Sequence, residues 1–328
     1  MEQPYADLTP DRILTSLEGV GFACDGRILA LNSYENRVYQ LGTEDGGFLV
    51  AKFYRPERWT DEGILEEHRF AGELVESELP IVPPIEVDGE TLHHHAGHRF
   101  AVYPRQGGRW PELARDEEWE MLGRFVGRIH AVGALSDFSH RQEISIDRMG
   151  REASQFVLLS DWMPPHLVQS YHAIVSRLLD SITEAFDRAG AAGSLRRLRI
   201  HGDCHPGNVL WTDDGPHFVD LDDCVTGPAV QDLWLFLSGE REERAVQLQQ
   251  LLTGYSQFYD FDYRELHLIE ALRTLRMINY TAWLARRWSD PAFPMAFPWF
   301  AETKYWEEHV LALKEQAAAL EEPVLEVM

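Results

Sequence analysis

Basic residues are scarce in this chain. Thirty lysines and arginines face fifty-four aspartates and glutamates, a formal charge of −24, and such a surface repels nucleic acid and anionic membranes. Any site for a polyanion must therefore gather its cations locally. Cysteine is scarcer still. Cys24, Cys204 and Cys224 form neither a metal-ligand spacing nor a disulfide framework, which fits a reducing compartment. No apolar run reaches the roughly 20 residues that span a bilayer, and no signal-peptide pattern opens the chain, so a cytoplasmic protein is expected. Internal repeats, low-complexity tracts and a G-x-G-x-x-G loop are also missing. What remains is a 328-residue chain with 45% hydrophobic residues, long enough for two lobes with separate cores.

The chemistry concentrates in Ile200-His201-Gly202-Asp203-Cys204-His205-Pro206-Gly207-Asn208-Val209-Leu210-Trp211, followed by Phe218-Val219-Asp220-Leu221-Asp222-Asp223. Two short apolar runs flank Thr212 to Pro216, whose Asp-Gly step predicts a hairpin. Pairing Trp211 with His217 would set Asn208 opposite Asp220. Cross-strand partners lie roughly 4.5 to 5.5 Å apart, so these two oxygen donors would share one small hard cation, Mg²⁺. Asp203 falls in a loop broken by Gly202, Pro206 and Gly207, where its carboxylate would orient an attacking hydroxyl. Two other readings stay open: a Zn²⁺ site of His201, Asp203 and His205, and a plain acidic hairpin.

The pattern resembles the catalytic loop and metal-binding aspartate of the kinase-like phosphotransferases, in the aminoglycoside phosphotransferase and choline kinase branch. The resemblance implies an α+β, bilobal protein-kinase-like fold, with a nucleotide-binding lobe over 1–104 and a catalytic and substrate lobe over 105–328. It also implies ATP and Mg²⁺, with Asp203 and Asp220 catalytic, Asn208 and Asp220 on the metal, and His201 and His205 bracing the loop.

In the first lobe, Thr9 and Pro10 predict a helix start. Strands are expected at Ile28 to Leu31 and Arg37 to Leu41, with Asn32 to Asn36 as a non-glycine lid in which Ser33 caps the phosphates. Lys52 lies in the apolar strand Phe48 to Tyr54, where a half-buried ammonium needs a partner; it is read as the phosphate-gripping lysine. On the helix Asp61 to Ser77, Glu67 shares the inward face with Ile64, Phe70, Ala71 and Leu74, whereas Glu66 is displaced, so Glu67 is chosen as that partner. A hairpin is expected across Asp88-Gly89, and His93-His94-His95 reads as a solvated hairpin, since three consecutive histidines on a strand cannot all face one ion. Arg99 to Pro104, including Tyr103, would enter the hinge whose backbone reads adenine.

In the second lobe, Trp119 to Val132 and Pro165 to Ala189 read as helices, and Phe138 to Ser160 is uninformative. His130 is expected to be structural, and Asp232 to accept backbone N–H groups of the catalytic loop. Asp223 is followed almost at once by Gly227, leaving no room for a long activation segment. The aromatic, proline-broken stretch Pro291 to Trp299 is read as an acceptor wall or as core.

Several long stretches are similar to the stress response kinase A family: Leu31 to Tyr39, Lys52 to Trp59, His201 to Trp211, Phe218 to Asp223, Gly227 to Trp234, and Asp290 to Pro294 with Phe297 to Trp299. That resemblance implies a bacterial serine/threonine protein kinase that phosphorylates protein, itself included, in a stress-protective role; a monomer without nucleic-acid or membrane partners is expected. A small-molecule kinase for an amino alcohol, sugar or aminoglycoside is the alternative, and a non-catalytic nucleotide-binding regulator a further one.

Overall fold

The computed structural model describes residues 4–327. Thr9 accepts a hydrogen bond from the Arg12 backbone N–H, and Pro10 occupies the first turn, so α1 runs Pro10–Gly19 as its sequence dictates. Five strands follow, interrupted by one helix: β1 (Cys24–Ala30), β2 (Arg37–Thr43), β3 (Phe48–Phe53), α2 (Asp61–Glu76), β4 (His93–His95) and β5 (His98–Pro104). They form one antiparallel sheet in the order β1-β2-β3-β5-β4. Ala51 and Phe53 of β3 pack with Leu41, Phe100, Val102 and α1 residues Ile13 and Leu17. Side chains alternate across a strand, so Lys52 emerges on the opposite face, toward α2.

The histidine run does form a hairpin with β5, but it is only partly solvated. His93 is buried, His94 pairs with Asp61 at 3.0 Å, and His95 Nδ1 meets Ser16 Oγ at 2.9 Å. The hairpin expected across Asp88-Gly89 reduces to a single bridge between Val87 and Glu90.

The remainder is mostly helical. α3 (Asp116–Gly133) is followed by a π-helical turn (Asp147–Glu152) that runs into α4 (Ala153–Leu159), then by α5 (Pro165–Gly190). Four short strands come next: β6 (Leu198–Ile200), β7 (Val209–Thr212), β8 (Gly215–Phe218) and β9 (Val225–Gly227). They pair as β6–β9 and β7–β8. α6 (Gln231–Trp234), α7 (Arg241–Tyr255), α8 (Ile269–Arg287), α9 (Ala292–Ala296) and α10 (Thr303–Ala319) complete the chain. α3 and α7 cross so closely that a Cβ on Gly123 would lie 2.0 Å from the Leu251 carbonyl oxygen, and one on Gly254 1.9 Å from that of Glu120. Leu122, Val126 and Ile129 meet Leu248, Leu251, Ile200 and Phe218 in the core that carries the β6 to β9 loops.

The β7–β8 register corrects the sequence reading. Leu210, not Trp211, pairs with His217, and Trp211 pairs with Pro216. The turn is made by Asp213 and Asp214, and Gly215 already belongs to β8, opposite Thr212. Asn208 therefore faces Val219, whose N–H donates to the Asn208 carbonyl at 3.1 Å, and not Asp220.

Two acidic side chains tie the sheet lobe to the helices. Asp290 accepts from Arg37 at 2.7 Å and from Arg55 at 2.6 Å. Glu35, in the Asn32 to Asn36 loop, accepts from Trp283 Nε1 and forms an ion pair with Arg287, each at 2.5 Å. No helix among the described residues is long and apolar enough to cross a membrane.

Candidate active site

The loop after β6 is shaped from beneath. Fully buried Asp232 accepts the His201 N–H at 2.7 Å and the Gly202 N–H at 2.8 Å. Its carboxylate also meets His130 Nε2 at 3.1 Å, and the Tyr255 hydroxyl holds the other ring nitrogen at 2.8 Å. His130 is thus structural. Gly202 has φ +83°, and a Cβ there would fall 2.2 Å from the Asp223 carbonyl oxygen, so only glycine fits. Fully buried His201 donates from Nε2 to the Val219 carbonyl at 3.0 Å, locking this loop to the β8 exit.

Asp203 projects from that braced loop. Its Oδ1 accepts from Arg276 of α8 at 2.7 Å, and its Oδ2 lies 3.4 Å from His205 Nε2. Burial pushes the carboxyl pKa up, but His205 and Arg276 outweigh it and hold Asp203 well below the usual carboxylate range. The group is ionised at neutral pH and presents an acceptor oxygen.

Asn208 donates from Nδ2 to the Asp203 backbone carbonyl at 3.0 Å. Among the described residues nothing donates to its Oδ1, which leaves a carbonyl oxygen for a hard cation. Asp220 reaches the same region by another route than cross-strand pairing. It adopts φ 61°, ψ 63°, a left-handed conformation open to aspartate, and a 3₁₀ turn (Leu221–Asp223) follows. One Asp220 oxygen accepts from Lys52 at 3.1 Å, while the side chain stays 56% exposed. An amide oxygen and a half-exposed carboxylate suit Mg²⁺, which takes few protein ligands and completes its shell with phosphate and water. Among the described residues no group of three or more His, Cys, Asp or Glu side chains is placed to hold a metal ion. His201, Asp203 and His205 therefore do not form the Zn²⁺ site considered above.

Lys52 sits behind Asp220, buried between β3 and α2. Its ammonium lies 3.0 Å from Asp222, 3.1 Å from Asp220 and 3.3 Å from Glu67. Burial pulls its pKa down, and these three carboxylates more than reverse that. Glu67 makes the contact its helical face predicts. Glu66 has a different task, accepting the backbone N–H groups of Ser139, His140 and Arg141 at 2.7, 2.8 and 2.9 Å.

Asp222 was missed by sequence reasoning. Its side chain is buried, meets Lys52 and pairs with Arg58, which also holds Asp223 at 2.5 Å. Arg141 donates to the Asp222 and Cys224 backbone carbonyls. The available signal was an acid two residues after Asp220 and an arginine six residues after Lys52. Arg141 sat in a stretch without periodicity.

Other expected contacts fall as follows. Ser33 Oγ donates to the Asn36 carbonyl at 3.2 Å, and Asn36 is buried with its side-chain oxygen on the Arg55 N–H at 3.1 Å. Tyr103 pairs with Val50 in the sheet, and its hydroxyl meets that of Tyr54 at 2.9 Å. A cavity of about 540 Å³ opens beside Asp203, with Trp59 and, from α8, Tyr280 and Trp283 as its aromatic walls. The segment Pro291 to Trp299 does not line it. Phe293 is fully buried, and the Phe297 ring packs at a tilt against Tyr34 with centroids 4.8 Å apart, so this stretch packs the lobes together.

Residues 27–269 match the phosphotransferase enzyme family. The chain is 43% identical to stress response kinase A of Escherichia coli K12, over 98% of this chain and 97% of that protein. It is 41% identical, with the same coverage, to the serine/threonine protein kinase RdoA of Salmonella typhimurium. Among solved structures, amicoumacin kinase hAmiN in complex with AMP-PNP, Ca²⁺ and Ami superposes with a TM-score of 0.73. That match has 18% identity and covers 97% of this chain and 96% of the other; it speaks to fold alone.

Proposed function

This chain belongs to the phosphotransferase enzyme family, in the stress response kinase A branch, and we propose that it transfers the γ-phosphoryl group of ATP to serine or threonine hydroxyls of proteins, itself included. That it is a kinase follows from its family. The observation that carries the mechanism is the Lys52 ammonium, held by Glu67 and Asp222 and shared with Asp220, across the cleft from an ionised Asp203.

Lys52 neutralises charge on the nucleotide phosphates, and Glu67 fixes its reach. Asn208 and Asp220 would hold Mg²⁺, which supplies charge neutralisation between the phosphate oxygens when bound. Ser33 and the loop around it close over the phosphates, and the strand end at Tyr103 and Pro104 leads into the adenine-reading hinge. The nucleotide lobe is 1–104 and the acceptor lobe 105–328. Asp203 accepts a hydrogen bond from the attacking hydroxyl and aligns it in line with the leaving oxygen. Its low pKa makes it an orienting acceptor more than a strong base, which suits a loose transition state needing little proton abstraction before bond cleavage. The protein acts in the cytoplasm as a monomer in a stress-protective role.

A small-molecule acceptor is the second reading, favoured by the open cavity beside Asp203 and the three residues between Asp223 and Gly227. Incubation with γ-labelled ATP separates the two. Label on protein serine or threonine, located by mass spectrometry, is the expected result. Label confined to amino alcohols, sugars or aminoglycosides would overturn it.

A further inference from the structure

The cavity beside Asp203 runs against the charge of the chain. Five arginines line it, in a protein with twenty-four more acidic than basic residues. Three of them are occupied: Arg58 by Asp222 and Asp223, Arg276 by Asp203, and Arg287 by Glu35. Arg148 and Arg286 are not. Neither has a carboxylate within 4.0 Å among the described residues; Arg148 donates to the Glu143 backbone carbonyl at 3.0 Å, and Arg286 stacks over Phe156 at 4.8 Å. They come from different elements, the π-helical turn and the end of α8.

Burial pushes both guanidinium pKa values down; Asp223, Glu152 and Glu143 partly offset this at Arg148 and Glu152 at Arg286, while Arg148 also feels Arg286 as a like charge. Those carboxylates act from beyond salt-bridge distance, so the two guanidinium groups on one wall keep donors to spare for an anion. Their planar forks match carboxylate or phosphate. Glu57 is the one lining acid without a basic partner within 4.0 Å among the described residues, and it enters from the sheet lobe. An ammonium-bearing acceptor would share this cavity with five arginines.

We propose that the acceptor carries an anionic group, a carboxylate or phosphate, beside its reacting hydroxyl, and that Arg148 and Arg286 bind it. For a protein acceptor this is a serine or threonine flanked by acidic or phosphorylated residues. The inference rests on the reading above only in that Asp203 marks the transfer site. Arg276 stands between the two features, paired with Asp203 and facing the same cavity, and an acceptor anion offers it a second partner.

The test compares labelled transfer from ATP to two matched pairs: a serine peptide flanked by glutamate or phosphoserine against the same peptide flanked by lysine, and a hydroxy acid against an amino alcohol. The protein is used at full length, as wild type and as the double variant Arg148→Glu, Arg286→Glu. The wild type is expected to prefer the anionic member about tenfold or more, the size of one charge-assisted contact. The double variant is expected to invert that preference, an outcome that misfolding cannot produce. Equal use of both members, preference for the cationic one, an unchanged preference in the double variant, or no transfer to any anionic acceptor would each overturn the proposal. Transfer to the hydroxy acid but to no peptide would uphold the anion site and overturn the protein-kinase reading instead.

Discussion

Asp203 shows how a single carboxylate is tuned. His205 and Arg276 keep it ionised far below neutral pH, so the acid limb it sets in activity lies well below neutral. Replacing Arg276 with Met removes one of those partners and is expected to move that limb to higher pH in a kcat/KM profile; an unchanged limb would contradict the account. His309 behaves in the opposite sense. Burial pushes its imidazole from 6.5 down to about 4, so the folded protein favours the neutral ring. The folded value lies below the unfolded one, so its contribution is complete above about 6.5 and is lost as pH falls through about 4. Across that window about 3 kcal/mol of stability should disappear. His309→Gln, which keeps a donor for the Thr281 hydroxyl at 3.2 Å, should flatten the dependence of unfolding free energy on pH there. At this scale the sequence was informative wherever spacing carried the information. Glu67 was separable from Glu66 by helical phase alone. Asp222 was not separable from Asp223, because only the left-handed turn at Asp220 decides which of the two points inward.

Elements make contacts that one-dimensional periodicity does not encode. The helix from Thr9, the strand carrying Lys52 and the helix carrying Glu67 were all legible, since caps and hydrophobic period are local. The β7–β8 register was off by one because the turn took Asp213-Asp214 and left Gly215 in the strand. The Asp290 clasp was invisible, since its partners lie 253 and 235 residues away. Asp290 is 2% exposed, and Asp290→Ala strands Arg37 and Arg55 without their shared carboxylate. A loss of about 3 to 5 kcal/mol is expected, read as a lower unfolding midpoint together with a higher KM for ATP as the sheet lobe loosens. The α3–α7 crossing makes a second claim. Helix propensity alone says that Gly254→Ala stabilises by about 1 kcal/mol. The Glu120 carbonyl lies 1.9 Å from where that Cβ would sit, so the clash should win, and chemical denaturation is expected to show destabilisation by about 1 to 3 kcal/mol.

Across the whole molecule, a chain with few cations spends them at the seam between its lobes. Lys52 and Arg58 reach Asp222, and Arg37 and Arg55 hold Asp290, across that seam, while Arg141 and Arg276 brace Asp222 and Asp203 from within the second lobe. The bilobal plan was legible from the catalytic stretch and its distance from Lys52, whereas the closure between lobes was not, because it joins residues from opposite ends of the chain. The central claim is that Asp203 aligns the acceptor hydroxyl for phosphoryl transfer. Single-turnover transfer from pre-bound ATP in Asp203→Asn tests it most directly, with binding of a non-hydrolysable ATP analogue measured on the same preparation. The rate is expected to fall roughly 10² to 10⁴-fold with analogue binding retained, and transfer at the wild-type rate would contradict the claim.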